Sequence, residues 1–511
     1  MDYTILTSRL FFLKRLQRKS LLVRIISFLF VVICNTPVYS QVYKPNLQDS
    51  VNEKTIPESA LMLSHYIQIP SVSGNELEAG QYLLDLCKSK GLYIQVFSDQ
   101  QGRFNFAASL YPLDLGLPNI VFLNHIDVVP AGDLGDWDFK PFSGKIEGGM
   151  IFGRGTIDMK GMAIMQLEAI ARFRKNFKDT QQPFNATILS VSGEEDFGPM
   201  GAGWVVNNYL DQLNPVAVYG EGGAGVIGLN SKQPDKPIMC VSVAEKKALW
   251  LEMKVKERTS GHGSVPPLIY ANKTAMTELN KILRKKPKII LNHYTISTLK
   301  QLGEVEGGLR GFILKNAKLF KPLIAAKIRK NPLIMSTLSN TITLTRINNP
   351  AGGSTNQIAQ ETFADLDCRL LPGYSSKKFI DELNKKIKKK NTTISIINQS
   401  REAEASPEGE KYQLLVDALK KVYPNSSVVP ILFPAVTDNN HFRSHGIPTY
   451  GINPVCLSMD LLKTIHNVNE RISIANVEDG IMVYYNILRE MSHNKAEIVS
   501  NEQGGENGVV K

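Results

Sequence analysis

Five cysteines and three tryptophans in a chain of 511 residues exclude a disulfide-dense secreted scaffold, which draws its stability from cysteine. Cys87, Cys240, Cys368 and Cys456 all lie far apart in sequence, so no thiolate metal cluster is expected, and buried free thiols compete with one or two disulfides. Mean hydropathy is −0.12, which excludes a polytopic membrane protein. Charged residues make up 21% and hydrophobic residues 43%, both near the globular average, so the chain is not disordered, collagenous or a coiled coil. The net charge is +11, but no aromatic–basic stripe accompanies it, and no nucleic-acid partner is expected. Arg9, Lys14, Arg15, Arg18, Lys19 and Arg24, against Asp2 alone, place +5 of that charge in the first 40 residues. Much of the rest sits in clusters such as Lys385 to Lys390, which read as solvated helix faces.

The amino terminus has the three-part layout of an export signal. A basic stretch, Lys14 to Lys19, precedes the apolar run Leu21 to Cys34, and Val38-Tyr39-Ser40 offers a cleavage site before Gln41. The uninterrupted part, Phe28 to Cys34, is far short of the ~20 residues of a membrane span. An uncleaved anchor and a lipidated Cys34 are the alternatives, the latter disfavoured by bulky Ile33. The expected location is therefore periplasmic or extracellular.

At roughly 150 residues per domain, the length suggests two to four domains. Short apolar runs at Asn119 to Leu123, Ala186 to Val191 and Val216 to Tyr219 read as buried strands, and helical spacing follows Asp158. That alternation predicts an α/β domain: a mostly parallel sheet flanked by helices. From Glu245 the pattern changes. Leu249 to Val255, Ile342 to Ile347, Thr362 to Leu370 and Thr393 to Ile397 read as strands of a smaller α+β unit with one wet face. The first pattern returns after Ala403. The expected division is a signal peptide over 1–40, a large domain in two segments, 41–244 and 403–493, an inserted smaller domain over 245–402, and a disordered tail over 494–511. Inside the inserted domain, 287–338 is apolar and basic and reads as extra helices packed over the small domain. A face for a membrane surface is the sharper alternative.

Chemistry-bearing residues gather where open α/β sheets place them, at the carboxyl ends of strands. One strand delivers His125-Ile126-Asp127, another Glu194-Glu195-Asp196, and a third, ending at Gly220, delivers Glu221. Asp158 follows the turn Gly153-Arg154-Gly155. Taken singly, each has a bland reading: a structural histidine, a solvated acidic pair, a turn residue. Together, so many carboxylates in one cleft would repel and raise each other's pKa unless cations joined them.

In that order, His125 to Pro130, Gly153 to Gly161 and Ser192 to Glu195 resemble the signatures of the dinuclear zinc peptidases and amidohydrolases. Carboxypeptidase S, bacterial glutamate carboxypeptidase, aminoacylase and carnosine dipeptidase belong to that family. The resemblance runs from about Ile56 to Met491, and Trp137 to Gly144 with the long insert looks most like the carboxypeptidase S and N-acyl-amino-acid hydrolase branch.

The resemblance implies two zinc ions, with cobalt or manganese as substitutes. Asp158 would bridge them, His125 and Glu221 would complete one site, and Glu195 with a late histidine the other. Among His441, His445, His466 and His493, the context His466-Asn467-Val468-Asn469-Glu470-Arg471 selects His466. Asp127 would accept the second imidazole N–H of His125, and Glu194 would act as general base without binding metal. Gly261 to Pro266 resembles the family's lid motif, in which His262 would stabilise the oxyanion; Gly263 stands where Ser is usual. Asn356 and Arg369 match the family's N-x(12)-R pair, and Arg369 would bind a substrate carboxylate or pair with a neighbouring aspartate. Ala435 departs from the glycine usual before Thr-Asp, in a loop expected to shape the pocket.

The expected function is thus an exported zinc metallopeptidase of carboxypeptidase or dipeptidase type, acting on a short peptide. An N-fatty-acyl-amino-acid hydrolase is the alternative within the family, and a non-catalytic binding protein the alternative outside it. A homodimer through the lid domain is compatible with both enzymatic readings, with His262 acting within or across subunits.

Overall fold

The computed structural model describes residues 56–505, apart from 99–102, 199, 231, 285, 330–331, 351–353 and 388. The expected export signal lies outside the described residues, and no described helix is long and apolar enough to cross a membrane.

Eight strands form the large sheet. Their order is Tyr93–Ser98, Asn105–Ser109, Asn185–Val191, Asn119–His125, Pro215–Val226, Thr449–Leu457, Ile238–Glu245 and Ser427–Phe433. Four of them, from Asn185–Val191 to Thr449–Leu457, run parallel in one block, and the last two are parallel to each other. Asn119–His125 and Asn185–Val191 are buried at every position. This explains their unbroken apolar sequence: both faces of these strands are covered. Ile120 and Phe122 enter a core with the helices Glu58–Ile67, Lys160–Asn176 and Ile474–Gly505. Val121 and Leu123 point the other way, into a core with the helix Ala202–Leu213.

A second, wholly antiparallel sheet has the order Thr341–Asn348, Glu361–Leu370, Lys247–Lys256 and Thr392–Gln399. Glu361–Leu370 alternates strictly between buried and half-buried residues. Its dry face packs with the helices Ala271–Leu283 and Ser376–Asn384. The sequence between Lys247–Lys256 and Thr341–Asn348 supplies four more helices: His293–Glu306, Gly308–Lys315, Ala317–Ile328 and Pro332–Thr337. The first opens on a capping box in which Asn292 and Thr295 satisfy each other's backbone N–H. His293–Glu306 packs along Ser427–Phe433, the edge strand of the large sheet, with Tyr294 and Ile290 against Leu432 and Leu371. The ends of the insert meet, since Ile290 N donates to Leu338 O at 2.8 Å.

Two consecutive residues join the sheets. The buried Glu245 accepts from Thr437 Oγ1 at 2.7 Å and pairs with Arg443 at 2.8 Å, both on the large-sheet side. Lys246, also buried, donates to Ser336 O at 3.1 Å and Thr341 Oγ1 at 3.0 Å, on the side of the insert and small sheet. Burial pushes its ammonium down to about 7.

One further difference lies in the tail, and the cysteines follow one of their two expected outcomes. The last helix continues to Gly505, so the backbone over 494–505 is helical where disorder was expected from its polar composition. The four described cysteines are all free thiols.

Candidate active site

Asn119–His125 carries His125 to its buried end. The ring's Nδ1 lies 2.9 Å from the backbone oxygen of Asp127. A carbonyl only accepts, so Nδ1 carries the proton and Nε2 turns toward the carboxylates. Nε2 is 3.1 Å from Asp158 Oδ1 and 3.8 Å from Glu221 Oε1. The other Asp158 oxygen, Oδ2, is 3.0 Å from His466 Nε2, which also lies 3.2 Å from Glu195 Oε1. Each oxygen of Asp158 thus serves a different histidine.

The ligand atoms fall into overlapping trios within coordination reach: His125, Asp158 and Glu221; Asp158, Glu195 and His466; and His125, Glu194 and Glu195. The first two are the sets that the resemblance implied. The third places Glu194, expected to stay off the metal, in the same cage.

Two backbone features shape this cage. Glu221 lies within Pro215–Val226 rather than after a strand ending at Gly220, at a break in register with Thr449–Leu457. Gly451 makes the close approach there feasible: a Cβ on it would sit 2.1 Å from Glu221 O. Asp158 is held through its own turn. The buried Glu470 accepts from Ile157 N at 2.8 Å and Asp158 N at 3.1 Å with one oxygen. With the other it accepts from Gly155 N at 3.1 Å and Arg154 Nη1 at 2.6 Å.

The carboxyl of Asp127 does not receive the His125 N–H as expected; its nearest approach to Nδ1 is 3.6 Å. It accepts instead from the backbone N–H groups of Gly193, Glu194 and Glu195, at 3.0, 3.2 and 3.1 Å, and from Ser73 Oγ at 2.8 Å. The reason is geometric: its own carbonyl lies nearer the ring, leaving the side chain to hold the Glu194 loop.

The electrostatics are those of a cage built around positive charge. Burial, then the neighbouring Glu221 carboxylate, pushes Glu194 well above the ordinary carboxylate range. Burial, then Asp158, does the same to Glu221. Burial opposes ionisation of Asp158 too, but hydrogen bonds from His125 and His466 outweigh it and hold its carboxyl below the ordinary range. Asp158 and then Glu195 push His466 up to about 10. Asp438 adds another carboxylate, pushed up to about 7 by burial despite His125, and its buried Oδ2 has no hydrogen-bond partner among the described residues. A mixed imidazole and carboxylate set with unmet acceptor capacity fits divalent cations such as zinc.

Residues 121–490 match peptidase family M20/M25/M40. The chain belongs to this family. It is a metal-dependent hydrolase of the carboxypeptidase and amidohydrolase kind. A probable carboxypeptidase S-like protein of Dictyostelium discoideum is 27% identical over 74% of this chain and 72% of its own length. The N-fatty-acyl-amino acid synthase/hydrolase of Homo sapiens is 28% identical over 74% of each chain. Among solved structures, the M20 family metallo-carboxypeptidase of Sulfolobus solfataricus has the same fold, with a TM-score of 0.64, 18% identity, and coverage of 86% of this chain and all (100%) of its own.

The remaining predicted site residues lie on the small sheet and its loops. His262 and Asn356 come together, with Asn356 Nδ2 2.9 Å from His262 Nε2. Both are exposed, and their other side-chain hydrogen bonds go to Ser264 and Ser354. Arg369 is not beside Asn356; its Nε and Nη2 donate to Asp367 at 2.8 and 3.0 Å.

Sequence reasoning quoted Glu470 and Asp438 in motifs but gave them no role. The signal for Glu470 was its place four residues after His466; nothing local reveals that its partners are the turn before Asp158. Asn439, whose Nδ2 donates to Glu221 O at 2.5 Å, carried no signal beyond its neighbour Asp438.

Proposed function

We propose that this chain hydrolyses the amide bond next to a C-terminal amino acid, as an exported enzyme of carboxypeptidase or dipeptidase type. The observation that carries the reading is the division of Asp158 between two histidines, with Glu194 in the same cage. His125, Asp158 and Glu221 would hold one divalent cation, and Asp158, Glu195 and His466 the other. Bound there, such a pair polarises a carbonyl and makes water acidic enough to react near neutral pH. Glu194 takes a proton from the attacking water and delivers it to the leaving amine. Asp127 holds the Glu194 backbone in place for that transfer. Arg369 recognises the substrate carboxylate.

His262 would donate to the oxyanion once it reaches the cage. Its exposure, and the exposed Val265, Leu268, Ile269 and Met276 in the segment that follows it, favour delivery from a second copy of the chain. An N-fatty-acyl amino acid is the second substrate reading, favoured by the similarity to the human N-fatty-acyl-amino acid synthase/hydrolase and by the apolar insert.

The test is hydrolysis of a panel of dipeptides and N-acyl amino acids, with chelator and with zinc restored. Chelator-sensitive release of a free amino acid supports the reading; release that ignores chelator rejects it. Glu194→Gln should lower kcat by about 10²–10⁴-fold with metal content unchanged. Near-normal turnover in that variant removes Glu194 as the base.

A further inference from the structure

We infer that Trp250 is a second carboxylate donor beside Arg369, and that Phe197 covers this donor pair until a carboxylate displaces it. This rests on the proposed role of Arg369. Asp367 lies directly opposite Trp250 in the antiparallel ladder, and Arg369 opposite Ala248. Trp250, Asp367 and Arg369 therefore share the wet face of the small sheet, while Leu249, Leu366 and Cys368 fill its dry face. Asp367 occupies two donors of the Arg369 fork and fixes its direction. Among the described residues the third nitrogen, Nη1, is buried with no hydrogen-bond partner, and so is the indole Nε1 of Trp250. Two unmet donors on one face of the sheet call for an acceptor, since native interiors rarely leave such groups unpaired.

The neighbour that both donors' side chains have instead is an aromatic ring. Phe197 packs edge-on against Trp250, with ring centroids 4.8 Å apart, and lies 5.9 Å from the Arg369 guanidinium carbon. Its backbone is left-handed, with φ 55, a conformation in which a bulky residue is rare. Phe197 lies two residues after Glu195, on the turn that Asp127 holds. A carboxylate arriving at Arg369 and Trp250 satisfies both donors, releases the ring and frees the strained backbone. The same event moves the segment that follows Glu194 and Glu195. Carboxylate recognition on the small sheet is thereby linked to the loop of the proposed base.

The experiment titrates L-phenylalanine and L-phenylalaninamide, a product-like acid and its uncharged-end analogue, into the zinc-loaded full-length chain by calorimetry. The wild type should prefer the acid, and Arg369→Gln should abolish the preference. Trp250→Phe keeps a ring and removes the N–H; it should shrink the preference about 10-fold and leave the amide's affinity unchanged. Phe197→Gly relaxes the backbone and uncovers the donors without touching the sheet, and should tighten acid binding at least threefold. If Arg369→Gln abolishes the preference while Trp250→Phe leaves it intact, the inference is overturned and the role of Arg369 stands. If Phe197→Gly weakens acid binding or leaves it unchanged, the ring is no cover. If the wild type does not prefer the acid, the role of Arg369 and the inference fall together.

Discussion

Glu470 is a carboxylate that holds backbone rather than metal. Its four hydrogen bonds fix the turn that aims Asp158, and its partner Arg154 is equally buried. Removing one member of a buried pair leaves the other charge uncompensated. Glu470→Ala should therefore destabilise the fold by about 3–5 kcal/mol in denaturant titration. His441, read from sequence as one candidate for the late metal ligand, is displaced from the cage and titrates differently from His466. Burial, then Arg401 and His445, pushes its imidazole down to about 4. Between that value and the ordinary 6.5, the unfolded chain binds a proton that the folded chain refuses. Stability should therefore be fully present above pH 6.5 and fall as pH drops toward 4, by up to about 3 kcal/mol. His441→Asn should flatten that window in unfolding measured from pH 7 to 4; an unchanged slope would assign it to other groups.

At the scale of elements, His125 and the Glu194 loop are one assembly. The strand that ends in His125 also supplies Asp127, which clamps the three amides of Gly193, Glu194 and Glu195. Asp127→Ala should lower kcat by about 10²-fold through misplacement of the base, while circular dichroism stays native. The strands that carry His125 and Glu194-Glu195, and the helix after Asp158, were legible because each is an unbroken apolar run or a helical period ending in a charged residue. His466 was legible from its motif. The job of Asp127 was not, because it depends on whether a carbonyl or a carboxyl lies nearer one ring nitrogen. Glu221 was located but its setting was misread: a bulged strand and a strand end look alike when Gly222 and Gly223 follow. The contacts of Phe197 with Trp250 and Arg369 were invisible, since they join residues of separate sheets with no shared local pattern.

For the whole molecule, the cage should dominate stability as well as chemistry. Cations that bind the folded chain alone stabilise it by mass action, about 4 kcal/mol at a thousand times their Kd. Exhaustive chelation should lower Tm, and stoichiometric zinc should restore it. A Tm indifferent to chelator would show the cage to be unfilled at the outset. The joint between the two sheets bears on engineering. The ends of the 287–338 insert meet in a backbone hydrogen bond, so the segment has the outline of a cassette that a short turn could replace. Lys246 contradicts that outline. One of its two hydrogen-bond acceptors, Ser336 O, belongs to the segment, and excision would leave an ammonium inside the protein with half its partners. A trimmed chain should fold poorly with Lys246 in place and recover with Lys246→Met, a pair of melting curves that any truncation study would need before assigning lost activity to the missing helices.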